Sequence, residues 1–231
     1  MTGQAHGTDE TTRRLTLLRH AKSDWPDLPD HDRPLAKRGR KDAPRIGHWL
    51  RTHGYVPDIV ICSTALRTRQ TWDLVAPELN GSARVQFEPR AYAASALTLL
   101  YLCRELPGTC HAALLIAHNP GIEELAASLG GAQEGAPETA GLRFPTATVA
   151  VFEFTGAWSA LAPGQANMID YTIPADLLRA RELRPAGRES GSGRCTTARS
   201  AKKKRRKWRA TGLRRPATGG RIRTIRRCRR P

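Results

Sequence analysis

Short apolar runs, each stopping at a polar or charged residue, recur along most of this chain, and helix-like stretches lie between them. Residues 15–19 (LTLLR), 58–62 (DIVIC), 83–87 (ARVQF) and 112–117 (AALLIA) have the length and the Leu/Ile/Val content of buried strands. Residues 35–53 place Ile46, Trp49 and Leu50 on one helical side, with Pro44 expected to kink that helix or mark a second start capped by Asp42. Residues 65–79 read as a helix stopped by Asn80-Gly81, residues 95–106 as a helix capped by Ser95, and residues 121–129 as another. A loop over 130–141 precedes two further strands, 146–154 and, at an edge, 167–173. Strands alternating with helices predict an α/β fold with three layers, α/β/α, around a mostly parallel sheet.

Sheets of this kind bind ligands beyond the carboxyl ends of their strands. The residues found there are Arg19 and His20, then Ser63, Thr64 and Arg67, then Glu88, and finally His118 and Asn119. Two arginine forks aimed at one point match the oxygens of a phosphoryl group and stay charged at any relevant pH. A neutral histidine beside such a group can attack phosphorus through a ring nitrogen, and neighbouring arginines favour the neutral ring. His20 is the candidate nucleophile. His118 is the candidate donor to a non-bridging oxygen, and this chemistry calls for no metal and no cofactor.

The residues carrying this pattern resemble a known family. LLRHAKSDW (residues 17–25), DRPLAKRG (32–39), STALRTRQT (63–71), EPRAYAAS (88–95) and AHNPGIEEL (117–125) look like the motifs of the histidine phosphatase superfamily, in the same order. The RHAKS form of the first motif is similar to the SixA-type branch of phosphohistidine phosphatases. The resemblance covers about residues 15–174 and implies a phosphoglycerate mutase-like fold. It makes His20 the phosphorylated residue, with Arg19, Arg67 and His118 as the phosphate pocket, and it puts Glu88 near the family's acid/base carboxylate. Asp24 is a competing carboxylate in the first loop. Lys22 and Ser23, in the same loop, are expected to touch the phosphate. Only 24 residues, 88–111, separate the third strand from the fourth, where larger relatives insert helical caps. The expected site therefore lacks a large cap and is open, which suits a phosphorylated side chain on a protein, phosphohistidine above all. A small-molecule phosphomonoester is the alternative within the family.

Charge divides the chain. Residues 1–183 hold 19 basic and 20 acidic side chains, whereas residues 184–231 hold 19 basic and 1 acidic, so the net charge of +17 lies in the last stretch. That stretch includes KKKRRKWR and IRTIRRCRR and few apolar residues, a composition that predicts a disordered basic tail. Three readings stay open for it: contact with nucleic acid or another polyanion, docking of acidic protein substrates, or an extension with no function. A nucleic-acid-binding protein using its first domain only to recognise phosphate is the alternative of another class, but such a module needs no nucleophile. The expected organisation is a flexible segment over 1–14, the phosphatase domain over 15–183 and the tail over 184–231.

Other classes are set aside on composition. The longest apolar run, residues 112–117, is far short of the roughly 18 residues that cross a membrane. Residues 1–14 are polar and lack the apolar stretch of a secretory signal, so a cytoplasmic protein without membrane contact is expected. Five widely spaced cysteines without a CxxC pair suggest neither a disulfide framework nor a zinc site. Cys62 lacks the arginine that a thiolate phosphatase carries after five intervening residues, since that position is Thr68. His6, His31, His48, His53 and His111 read as surface or structural, and the spacing of His48 and His53 is wrong for a helical metal pair.

Overall fold

The computed structural model describes residues 10–130 and 143–177; most of the loop expected over 130–141 and all of the tail over 184–231 lie outside them. Six strands form one sheet: β1 (Thr12–Arg19), β2 (Ile59–Ser63), β3 (Arg84–Glu88), β4 (Ala112–Ala117), β5 (Val149–Thr155) and β6 (Asn167–Thr172). Their order is β3-β2-β4-β1-β5-β6. The first four pair in parallel, while β5 and β6 extend the sheet antiparallel beside β1. The expected parallel core is present, and the antiparallel pair is an addition to it, with β6 at the edge.

Side chains alternate across the sheet, so each central strand feeds two cores. On one face Leu17, Ile61 and Leu115 meet the helices α3 (Ala96–Arg104) and α4 (Gly121–Leu129). On the other, Leu18, Val60 and Ile116 meet α1 (Lys37–Thr52) and α2 (Leu66–Val75). The layers are therefore α/β/α. The stretch between β3 and β4 holds a short 3-10 turn and the nine residues of α3, without a large helical cap.

Two expectations need correction. Helix α1 runs through Pro44 without a second start, and Asp42 does not cap it. Pro44 removes one backbone donor, a cost of about 3 kcal/mol, but the helix buries Ala43, Ile46, Trp49 and Leu50 on one face, which outweighs that loss. The Asp42 carboxylate instead pairs with Arg38 at 3.3 Å and Arg45 at 3.1 Å. Residues 12–14, expected to be flexible, belong to β1, where Arg14 pairs with Ala112 on one side and Glu153 on the other. They escaped notice because backbone pairing and an Arg14–Glu153 ion pair, rather than apolar side chains, hold them in the sheet.

Close approach of backbones positions α1. A Cβ on Gly39 would lie 2.2 Å from the Lys22 carbonyl oxygen, so only glycine lets this helix rest on the loop that follows β1. The Ala36 N–H donates to the same carbonyl at 2.9 Å.

Candidate active site

Strand register brings the two histidines together. β1 and β4 pair with Leu18 opposite Ile116 and Arg19 opposite Ala117, and the His20 N–H donates to the Ala117 carbonyl at 3.1 Å. One residue further, the His20 and His118 rings stand 5.1 Å apart between centroids, both buried. His20 Nδ1 lies 2.8 Å from the carbonyl oxygen of Ala21. A carbonyl only accepts, so Nδ1 carries the proton in this contact and the lone pair sits on Nε2. His118 Nε2 lies 2.8 Å from the Ser63 hydroxyl at the end of β2. The loop carrying His20 is anchored to α2, because the Ala21 N–H donates to the Thr71 hydroxyl at 3.0 Å.

The arginines arrive from different elements. Arg19, the last residue of β1, donates through Nη1 to the Phe144 carbonyl at 2.6 Å. Arg67, in the first turn of α2 and buried, donates to the carbonyl and carboxylate oxygens of Asp30 at 2.5 and 2.9 Å. Asp30 also accepts from the Tyr92 hydroxyl at 2.7 Å and from Arg33 at 2.7 Å. Those donors, Tyr92 foremost, hold its carboxyl well below the usual carboxylate range. The Tyr92 ring in turn meets His118 edge-on at 5.6 Å. Asp30 and Tyr92 had no distinguishing spacing in the sequence, although Tyr92 lies within the EPRAYAAS motif.

A buried polar atom without a partner in the protein needs water, an ion or a ligand to satisfy it. Arg19 Nε, His118 Nδ1 and Asn119 Oδ1 are among the buried side-chain atoms of the described residues that make no hydrogen bond. The first two flank His20. A donor on Arg19 and a ring nitrogen on His118, beside a lone-pair nitrogen on His20, form a cradle for an anionic group within reach of a nucleophile.

The remaining expected residues do not join this cradle. The Glu88 carboxylate accepts from Arg90 through its backbone N–H at 2.9 Å, Nε at 3.0 Å and Nη2 at 2.8 Å, and these bonds lower its pKa. A carboxylate held as an anion by its neighbour is a poor proton donor. The Ser23 hydroxyl accepts from Arg33 at 2.9 Å and so serves the loop. Lys22 is exposed at the rim, and Asp24 accepts from the Trp25 N–H at 3.0 Å. Arg33, spread over Ser23, Asp24 and Asp30, fixes the loop. The Cys62 thiol is buried and pushed up to about 12, which fits an inert thiol.

Burial depresses both histidines, His20 to about 4 and His118 to about 3, with like-charge repulsion from Arg67 and Arg19 adding to it. Both rings are therefore neutral near pH 7. In the unfolded chain a histidine takes up its proton near pH 6.5, whereas the folded chain refuses it until about pH 4 for His20. Stability contributed by the neutral rings is thus present above pH 6.5 and lost as pH falls toward 4. The expected loss is on the order of 3 kcal/mol for His20 alone. Urea unfolding from pH 7 to 4 should show this slope, and His20→Gln should flatten it; a slope unchanged by the substitution would mean that His20 takes up its proton as readily in the fold as in the unfolded chain.

The family model described as Histidine phosphatase superfamily (branch 1) matches residues 15–91. An uncharacterized protein of Mycobacterium tuberculosis is 36% identical over 161 residues, covering 68% of this chain and 99% of that protein. The structure of the proposed phosphohistidine phosphatase SixA from Nakamurella multipartitia is 33% identical, with a TM-score of 0.63 over 71% of this chain and 96% of the other. Its counterpart from Agrobacterium tumefaciens is 30% identical, with a TM-score of 0.59 over 70% and 98%.

Proposed function

The chain belongs to the histidine phosphatase superfamily, in its SixA-type branch, and on that premise we propose that this phosphatase removes the phosphoryl group from a phosphohistidine side chain of another protein. In this reading Arg19 and Arg67 bind the phosphoryl oxygens. The His20 Nε2 lone pair attacks phosphorus, the P–N bond to the substrate ring breaks, and that imidazole departs with the bonding pair. Water then attacks the phosphorus on His20, the P–Nε2 bond breaks and inorganic phosphate leaves. His118, with the Ser63 hydroxyl donating to Nε2, presents Nδ1–H to an equatorial oxygen and stabilises the charge that builds there. Charge neutralisation falls to the guanidinium groups.

The observation that carries the substrate class is the state of the carboxylates. Asp30 and Glu88 are both held as anions by hydrogen-bond donors. An alkoxide leaving group needs an acid to protonate it, whereas an imidazole already protonated on its far nitrogen departs neutral. A site furnished this way favours the phosphoramidate over the alkyl monoester. The short β3–β4 connection, without a large cap, leaves room for a side chain presented by a protein. Free, buried cysteines at 62, 103 and 110 fit a cytoplasmic setting.

The test is a comparison of kcat/KM for a histidine-phosphorylated protein and for alkyl phosphomonoesters. The expected preference for the phosphoprotein is at least about 100-fold, the scale of one missing catalytic contact. Equal or greater activity on the monoesters would overturn the assignment.

A further inference from the structure

We propose that the first turns of α1 form a docking surface for an acidic face of the protein that carries the phosphoryl group; this rests on the phosphoprotein reading above. Lys37, Arg38, Arg40 and Lys41 are exposed within the first five residues of the helix. This is an unfavourable place for them, because a helix N-terminus carries a partial positive charge and prefers acids. The first turn has no acidic residue, and Ala36 at the cap supplies no side-chain bond. A local choice that works against helix stability in this way points to selection for something other than folding.

Two of the four charges are free to be used. Among the described residues Lys37 and Lys41 have no ion pair, and Asp42, the acid on the same helix, is buried and already shared by Arg38 and Arg45, while the Arg40 guanidinium donates to the Leu35 carbonyl and lines a separate pocket with Asp73. Lys37, Arg38, Lys41, Asp42 and Arg45 line a groove of about 430 Å³. From Lys37 to Arg45 the helix rises about 12 Å, several times the reach of one phosphoryl group. An extended anionic surface matches this length, and a single small phosphate does not.

The helix rests on the Lys22 carbonyl through Gly39 and Ala36, and Lys22 lies two residues after His20. On the same loop Trp25 is 75% exposed and stacks on Arg33, its ring centroid 3.2 Å from the guanidinium carbon. The cations and the loop bearing Trp25 and His20 thus belong to two elements in direct backbone contact, and the proposed partner spans both, with charge steering encounter and the aromatic residue holding it.

The experiment compares full-length protein with the double variant Lys37→Glu/Lys41→Glu, both checked for equal melting temperature. Substrates are a histidine-phosphorylated acidic protein and free phosphohistidine. The variant is expected to raise KM for the phosphoprotein at least about tenfold with kcat within twofold, to lose the salt dependence of kcat/KM, and to hydrolyse free phosphohistidine as before. Unchanged KM for the phosphoprotein, or equal losses on both substrates, would overturn the docking surface. Binding of the unphosphorylated acidic protein, measured by fluorescence anisotropy, tests the surface separately. If the enzyme hydrolyses only monoesters, the phosphohistidine reading fails, while a tenfold weaker binding by the variant still supports docking. Weakened binding of a single-stranded oligonucleotide with unchanged binding of the acidic protein would overturn the protein partner in favour of nucleic acid.

Discussion

Replacing His20 by alanine is expected to lower phosphatase turnover by at least about 10³-fold and to abolish any covalent phosphoenzyme. The size of the effect follows from the role. Without a ring nitrogen the reaction loses its intermediate, and water must attack the substrate directly. The hydrogen bond from Nδ1 to the Ala21 carbonyl adds a finer expectation, since it leaves Nε2 as the nucleophilic atom. Alkali-quenched enzyme should carry an alkali-stable, acid-labile phosphate on His20, on the ring nitrogen remote from the backbone. Phosphorus NMR of the trapped adduct distinguishes the two ring isomers. Turnover that survives His20→Ala would refute the mechanism, and phosphate on the near nitrogen would refute the tautomer.

Arg67→Ala should cost about 10²- to 10³-fold in kcat/KM, comparable to removing a donor that meets charge in the transition state. Arg67→Lys should restore little, because one ammonium cannot replace a planar fork that spans two oxygens. Asp30→Asn provides the control. Asp30 holds one edge of the Arg67 guanidinium through its carbonyl and carboxylate, so the amide keeps part of that support and a milder loss, about tenfold, is expected. Affinity for tungstate or vanadate should fall in the same order across these variants. If Arg67→Ala binds those anions as well as the parent, the arginine is a loop anchor rather than part of the phosphate pocket.

The legible part of this site is the part built by strands. Arg19, His20 and His118 follow apolar runs whose ends could be read directly, and Arg67 lies one helical turn beyond another. Their convergence depends on parallel pairing of β4 with β1 on one side and β2 on the other, which alternation of elements already implies. Glu88 shows the limit of that reasoning. It stands at a strand end like the others, but Arg90, two residues on, takes its carboxylate, and no periodicity distinguishes the two cases. Asp30 and Tyr92 were missed because they join the site through loop conformation, while Ser63 was placed at its strand end without a role, since no spacing marks a buried hydroxyl that meets His118. The second start at Pro44 was over-read for a related reason: propensity names the lost hydrogen bond, while the buried face that compensates for it belongs to tertiary packing.

The pairing of β1 with β4 also decides how this enzyme can fail. The two strands lie at the centre of the sheet with both faces covered, so parting His20 from His118 means opening the region that should exchange its amide hydrogens last. The Asp30 loop, by contrast, lies at the surface and is held by side-chain bonds to Arg33, Arg67 and Tyr92, so it can open with the sheet intact. Damage to the core should therefore reduce the number of active molecules without changing the chemistry of each survivor, whereas damage to the loop should leave every molecule folded and slow.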